Sequence, residues 1–208
     1  MYDAEAFREV RVDVLHALIK AHPLATLVVT TEAGLEANHI PLLMDPEPGP
    51  FGTLRGHVAR ANPVWRTFNA DTEALAVFQG PQGYITPSWY PSKAQHGKVV
   101  PTWNYAVVHA HGPLKIHEDA EWLRALVTRL TESQESPRVK PWHVSDAPGD
   151  YIDTMLKAIV GIEIPVSRLQ GKWKMSQNRL PQDRDGVVGA LASQADEASQ
   201  SLLGAMRR

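Results

Sequence analysis

Strand-forming segments crowd the first half of this chain, with little between them. "LATLVVTT" (Leu24–Thr31), "LEANHIPLLM" (Leu35–Met44), "TLRGHVA" (Thr53–Ala59) and "ALAVFQG" (Ala74–Gly80) are each short and β-rich. Only turns, the loop "DPEPGPFG" and a short helix over "NPVWRTF" (Asn62–Phe68) separate them. Such a run does not show the strand–helix alternation of a parallel sheet. It predicts a mainly β fold with helices outside: an antiparallel barrel of about six strands.

The remaining elements fit around that frame. Thr102–His117 is a long β-rich segment bent at Gly112–Pro113, and Val160–Lys174 is a strand or strand pair. Apolar residues at helical spacing predict an outer helix over Ala4–Ala21, capped by Asp3 and stopped by Pro23. Further helices are expected over Asp119–Glu135, with Asp119 as cap, and over Gly149–Ile159. The tail 181–208 is rich in Ala, Gln and Ser and reads as helical. No linker divides the chain, so residues 1–180 are expected to form one domain with the tail beside it.

Composition removes several function classes. There is no cysteine among the 208 residues, which excludes disulfides, iron–sulfur clusters and thiol nucleophiles and suits a reducing, cytoplasmic setting. A net charge of −2 gives no whole-chain basic footprint for nucleic acid. The acidic N-terminus does not resemble a signal peptide, and no apolar run reaches the ~20 residues of a membrane span. G-x-G-x-x-G and G-x-x-x-x-G-K-[ST] are absent, so Rossmann-type NAD binding and P-loop chemistry are not expected. His109 and His111 share a strand face, but no third ligand joins them, and no metal site is expected.

Three clusters carry chemistry. The first is "RGHVARANPVW" (Arg55–Trp65), where His57, Val58 and Ala59 end a strand and Arg60 and Asn62 precede a helix. Backbone N–H groups beside a guanidinium make a phosphate seat. The same residues also read as a helix cap and a solvated arginine. In the second, "GKWKMSQNR" (Gly171–Arg179), Lys172 and Lys174 point to one face of a strand and Trp173 to the other. Ser176, Gln177 and Asn178 then offer donors and acceptors that suit a heterocycle edge, although a basic edge strand entering a turn has the same pattern.

The third cluster, Tyr84–Tyr105, holds five of the fifteen Phe, Trp and Tyr among Ser, Thr, Asn, Lys and Pro. Trp89, Tyr90 and Trp103 offer stacking faces; Ser88, Thr102 and Asn104 offer polar edges. A ligand that uses all three clusters is planar, heteroaromatic and monophosphorylated. FMN meets that description.

Five segments in order resemble the PaiB-type FMN-binding negative transcriptional regulators: "NHIPLL", "GHVARANPVW", "GPQGYITPSWYPSK", "VPTWNYAVVHAHG" and "VGIEIPVSRLQGKWKMSQNR". The resemblance runs from the first helix to about Arg184. It implies a flavin-reductase-like split barrel of the pyridoxine-phosphate-oxidase type, a homodimer with FMN near the subunit interface, and transcriptional repression with operator DNA as partner. The chain itself offers little for DNA, since no helix pair has a helix-turn-helix signature and Arg129, Arg138 and Lys140 read as a solvated face. The competing class is an FMN-dependent oxidoreductase that takes NAD(P)H as reductant and a small molecule as substrate. A flavin carrier without turnover is a third.

Overall fold

The computed structural model describes residues 1–2 and 4–207. Within them the chain forms ten strands and seven α-helices, and six of the strand pairings are antiparallel. The backbone divides into two compact units: residues 1–21, 79–109 and 170–208, and residues 22–78 and 110–169.

The first unit begins with one turn of 3-10 helix at Glu5–Phe7 and a two-residue strand, β1 (Arg8–Glu9), which pairs with Lys172 and Gly171. Helix α1 (Val12–Ala21) follows. The helix expected over Ala4–Ala21 is therefore shorter. The Glu9 carboxylate accepts from the backbone N–H and guanidinium of Arg11, which holds the entry extended, and Val10 is exposed. The Asp3 cap lies outside the described residues.

Strands β6 (Ala74–Ile85), β7 (Thr102–Gly112) and β10 (Arg168–Lys174) run through both units. In the first unit the strand order is β1-β10-β7-β6. Helix α1 lies close over this sheet because two strand residues lack a side chain. A Cβ on Gly171 would sit 2.2 Å from Leu15, and one on Gly80 2.7 Å from Leu18. Between β6 and β7 the chain makes a short helix, α3 (Ser92–His96), that the sequence pattern does not announce. Helices α6 (Pro181–Ala192) and α7 (Glu197–Met206) form the expected helical tail and bury Val187, Leu191, Leu202 and Leu203.

In the second unit, β2 (Leu24–Thr31) pairs with β3 (Gly34–Pro41) along its whole length and with the start of β6. The segment expected as one strand from Leu35 to Met44 is two, β3 and β4 (Leu43–Asp45), in different sheets. The break falls at Leu42, after Pro41, which has no N–H to donate. Leu42 is buried, and its N–H turns aside to the Pro23 carbonyl at 2.9 Å. A four-stranded sheet has the order β4-β5-β9-β8, with β5 at Thr53–Ala59, β9 at Ile159–Pro165 and β8 at Lys115–His117. Helix α2 is a single turn (Val64–Thr67). Helix α4 (Ala120–Glu135) starts on the Asp119 cap, whose Oδ1 accepts from Trp122 N–H at 2.8 Å. With α5 (Gly149–Lys157), α4 buries Leu123, Ile152 and Leu156.

Candidate functional site

The residues singled out in the sequence fall into two groups, one in each unit. In the first unit, β7 opens with Thr102, Trp103 and Asn104, and β10 ends with Lys172 and Lys174. Alternation places Trp103 outward and Asn104 inward. Asn104 is fully buried, while Trp103 is 53% exposed. The Lys174 ammonium donates to the Thr102 hydroxyl and, at 3.0 Å, to the Trp103 carbonyl. The indole of Trp103 meets Tyr84 edge-on, with ring centroids 6.2 Å apart and planes at 70°.

Directly after β10, Ser176 is buried and takes a left-handed conformation, φ 64°. A non-glycine residue there is uncommon and needs support from its surroundings. Asn104 supplies it: its amide donates to the Ser176 hydroxyl at 3.0 Å, and that hydroxyl lies 3.1 Å from the Asn104 carbonyl oxygen. Gln177 folds its amide back to accept from Met175 N–H at 2.6 Å and to donate to the Trp173 carbonyl. Asn178 is exposed. Thr102, Trp103, Asn104, Lys174 and Ser176 thus come together through direct contacts.

Lys172 does not join them. It is buried, donates to the Tyr2 carbonyl at 3.1 Å, and lies 5.2 Å from the Tyr2 ring and 5.7 Å from the Tyr105 ring. Ser88 is exposed and accepts from Lys93 Nζ at 3.2 Å; Trp89 is half-buried. From Ala74 to His117 the sequence carries Lys93, Lys98 and Lys115 but no Asp or Glu. A half-exposed indole on a strand whose backbone and Thr102 hydroxyl hold an ammonium, in a stretch without carboxylates, fits a flat anionic ligand such as FMN.

In the second unit, His57, Val58 and Ala59 end β5, opposite Gly161, Val160 and Ile159 of β9. Val58 is buried and His57 half-buried. Burial holds the His57 imidazole below the ordinary histidine pKa, and its Nδ1 has no partner among the described residues. Arg60 is engaged on every side. Its Nε donates to the Lys157 carbonyl at 2.8 Å, one terminal nitrogen to the Ile159 carbonyl at 3.1 Å, and the other to Glu118. An anion arriving at Arg60 competes with Glu118. Asn62 accepts from Val64 N–H at 2.9 Å and donates to Asn38 Oδ1 at 2.7 Å, so it closes the turn that leads into α2, whose cap position is Pro63.

Three contributors escape sequence reasoning. Asn38 opens the "NHIPLL" segment, but nothing in the sequence pairs it with Asn62. Tyr84 has no obvious pairing with Trp103 at a separation of nineteen residues. Asp183 is buried in the featureless tail, and only its place two residues after Pro181, in the first turn of α6, hints at a capping role. As for the histidine pair, His111 lies beside a cation, its Nδ1 3.1 Å from an Arg168 nitrogen, which disfavours a metal there. Among the described residues no helix is long and apolar enough to cross a membrane.

A family model described as "Putative FMN-binding domain" matches residues 1–168. An uncharacterized protein of Emericella nidulans is 34% identical over 100% of this chain and 96% of its own length. The Bacillus subtilis protein named "Protease synthase and sporulation protein PAI 2" is 31% identical over 97% of this chain and 94% of its own. Among solved structures, the flavocytochrome Anf3 from Azotobacter vinelandii superposes with a TM-score of 0.60 at 10% identity, covering 87% of this chain and 78% of that one. A conserved hypothetical protein from Mycobacterium tuberculosis gives 0.59 at 13% identity, over 87% and 94% of the two chains. At these identities the structural matches speak for the fold, an antiparallel split β-barrel with outer helices.

Proposed function

The chain belongs to the FMN-binding family whose model it matches over residues 1–168, and on that premise we propose that it is a homodimeric negative transcriptional regulator of the PaiB type. Its cofactor is FMN. The observation that carries the flavin placement is the half-exposed Trp103 indole at the head of a strand whose Thr102 hydroxyl and Trp103 carbonyl hold the Lys174 ammonium. The isoalloxazine lies along the exposed side of Trp103 next to Thr102, with Ser88 and Trp89 nearby; Asn104 and Ser176, buried and bonded to each other, fix the backbone behind it, and Gln177 and Asn178 follow at the exposed edge. The phosphate is held by Arg60 and Asn62 next to His57–Ala59, with Lys174 adding positive charge; Lys172, taken up by Tyr2, does not take part. FMN supplies hydride chemistry when bound; the chain supplies orientation, charge and a dry wall. The regulatory role is supported by the similarity to the Bacillus subtilis protein, whose name ties it to protease synthesis and sporulation.

A second reading, an FMN-dependent oxidoreductase using NAD(P)H, is favoured by the state of the helix arginines. Arg124 pairs with Asp153, Arg129 with Asp45, and Arg184 donates to the Met206 carbonyl. Cations already paired contribute little to gripping a phosphate backbone.

One preparation separates the two. The regulator is expected to purify yellow, to stay oxidised under anaerobic NADH or NADPH, and to shift DNA with a sequence preference that fades steeply with salt. Bleaching by NAD(P)H without any sequence-preferring shift at low salt makes it the oxidoreductase.

A further inference from the structure

The second unit contains a groove of about 720 Å³ that has no part in the flavin placement. It lies between the tip of the β2–β3 hairpin and the exit of α2, and its walls include Glu32, Glu36, Pro63, Arg66 and Phe68. The frame is fixed. Thr31 and Phe68 form a β-bridge, the Asn69 N–H donates to the Thr30 carbonyl at 2.7 Å, and the Thr31 hydroxyl closes the hairpin on the Gly34 carbonyl at 3.0 Å.

Its charges are unspent. Arg66 stacks over the Trp65 ring at 4.2 Å and has no carboxylate partner among the described residues. Stacking orients a guanidinium without using its donors. Glu36 accepts only one hydrogen bond, from the Asn38 amide at 3.1 Å, and Glu32 is exposed. A wall with one fork-shaped cation, two carboxylates and an aromatic ring suits a ligand with a free carboxylate, a free ammonium and an apolar body. The volume lies within the range of small-molecule sites, ~300–1,000 Å³, and exceeds what a single amino acid fills.

We propose that this groove binds a zwitterion of di- or tripeptide size, with Arg66 taking the carboxylate and Glu36, aided by Glu32, taking the ammonium. Occupation is communicated to Asn62. A continuous chain of hydrogen bonds leads there: Asn38 donates to Glu36, Asn62 donates to Asn38 Oδ1 at 2.7 Å, and Asn62 accepts from Val64 N–H at 2.9 Å. An ammonium that draws the Glu36 carboxylate away loosens Asn38, and Asn38 holds Asn62. The binding claim stands by itself; the link to the cofactor rests on the placement of the FMN phosphate at Asn62.

Calorimetry with L-leucyl-L-leucine and glycyl-L-phenylalanine tests the groove, with and without FMN. Both are expected to bind, and their N-acetylated and C-amidated forms to bind at least about tenfold more weakly, as one lost charge-assisted contact implies. Arg66→Met is expected to abolish the preference for a free carboxylate, and Glu36→Gln the preference for a free amine. Arg66 is exposed, so its replacement leaves the fold intact. No binding at millimolar dipeptide, or equal binding of the blocked forms, overturns the site. For the link, saturating dipeptide is expected to change FMN affinity by about fivefold or more. Asn38→Ala is expected to remove that change while still binding dipeptide. Unchanged FMN affinity in the wild type overturns the link and leaves the groove standing. If Asn62→Ala does not weaken FMN, the phosphate placement fails instead.

Discussion

Asp183 receives two hydrogen bonds from Ser92, one from the backbone N–H at 3.1 Å and one from the hydroxyl at 2.7 Å, and both residues are buried. The tail helix α6 thereby holds the start of α3. One turn further on, Gly186 lets the Trp89 carbonyl come so close that a Cβ would sit 2.1 Å from it. The segment bearing Ser88 and Trp89 is clamped at two points by residues that lie beyond the matched family model.

Asp183→Ala leaves two buried donors on Ser92 unpaired. A loss of about 2–4 kcal/mol is expected, since each unmet buried donor costs roughly 1–3 kcal/mol. Ser92→Ala removes only the hydroxyl and costs less, and the double variant costs less than the two singles together. Urea unfolding measures all three. A change under about 0.5 kcal/mol for Asp183→Ala, the size of an ordinary surface substitution, rules out the clamp.

Arg60 offers a cleaner contrast. Its three side-chain contacts are structural, yet the placement of FMN asks it to hold phosphate as well. Arg60→Ala is expected to weaken FMN by about one to two powers of ten, at ~1.4 kcal/mol per decade, and to leave riboflavin unchanged. Glu118→Gln removes the competitor and tightens FMN. Fluorescence quenching with both flavins decides it. Equal weakening of the two flavins, or none, removes Arg60 from the phosphate.

Stability should fall on mild acidification. His57 is half-buried and its imidazole is held below the ordinary value near 6.5 by loss of solvent. The folded chain therefore refuses a proton that the unfolded chain accepts. The contribution is fully present above pH 6.5 and is lost as pH falls below it. His22 and His111 shift in the same direction, with burial as the first cause. His57→Gln is expected to flatten the stability profile between pH 7 and 5 (about one proton's worth of slope). A melting temperature that rises on acidification contradicts this.

Much of this architecture is legible in the sequence because short β-branched runs and capped helices are local signals. Asp119 caps α4 as its position before an apolar-periodic run indicates. The first helix misleads because Phe7 and Val10 mimic helical spacing, whereas backbone pairing of Arg8 and Glu9 with β10 decides the outcome. That pairing is non-local and leaves no mark within the segment. The site divides in the same way. Thr102, Trp103, Asn104, Lys174 and Ser176 are found by residue type and then seen in contact. The partners that occupy Arg60 and Lys172 come from distant positions, Glu118 and Tyr2, and no motif links them.

The aromatic strip bears on assembly. Tyr84 and Trp103 are each about half exposed and pack edge-on against one another. Paired aromatics of this size on a surface mark a place of association. An isologous homodimer is expected to cover them, with an interface of ~2,000 Å² or more. Trp103→Ser should then weaken the dimer by ~2–4 kcal/mol, the scale of a buried tryptophan anchor. In the proposed homodimer the flavin lies near the subunit interface, so FMN affinity in that variant should depend on protein concentration, recovering as the dimer is driven together. Light scattering across a dilution series, run beside FMN titrations at each concentration, measures both. A wild-type monomer at micromolar protein sinks the dimer. If Trp103→Ser instead stays dimeric at every dilution and loses FMN equally throughout, the indole serves the flavin alone and the interface lies elsewhere.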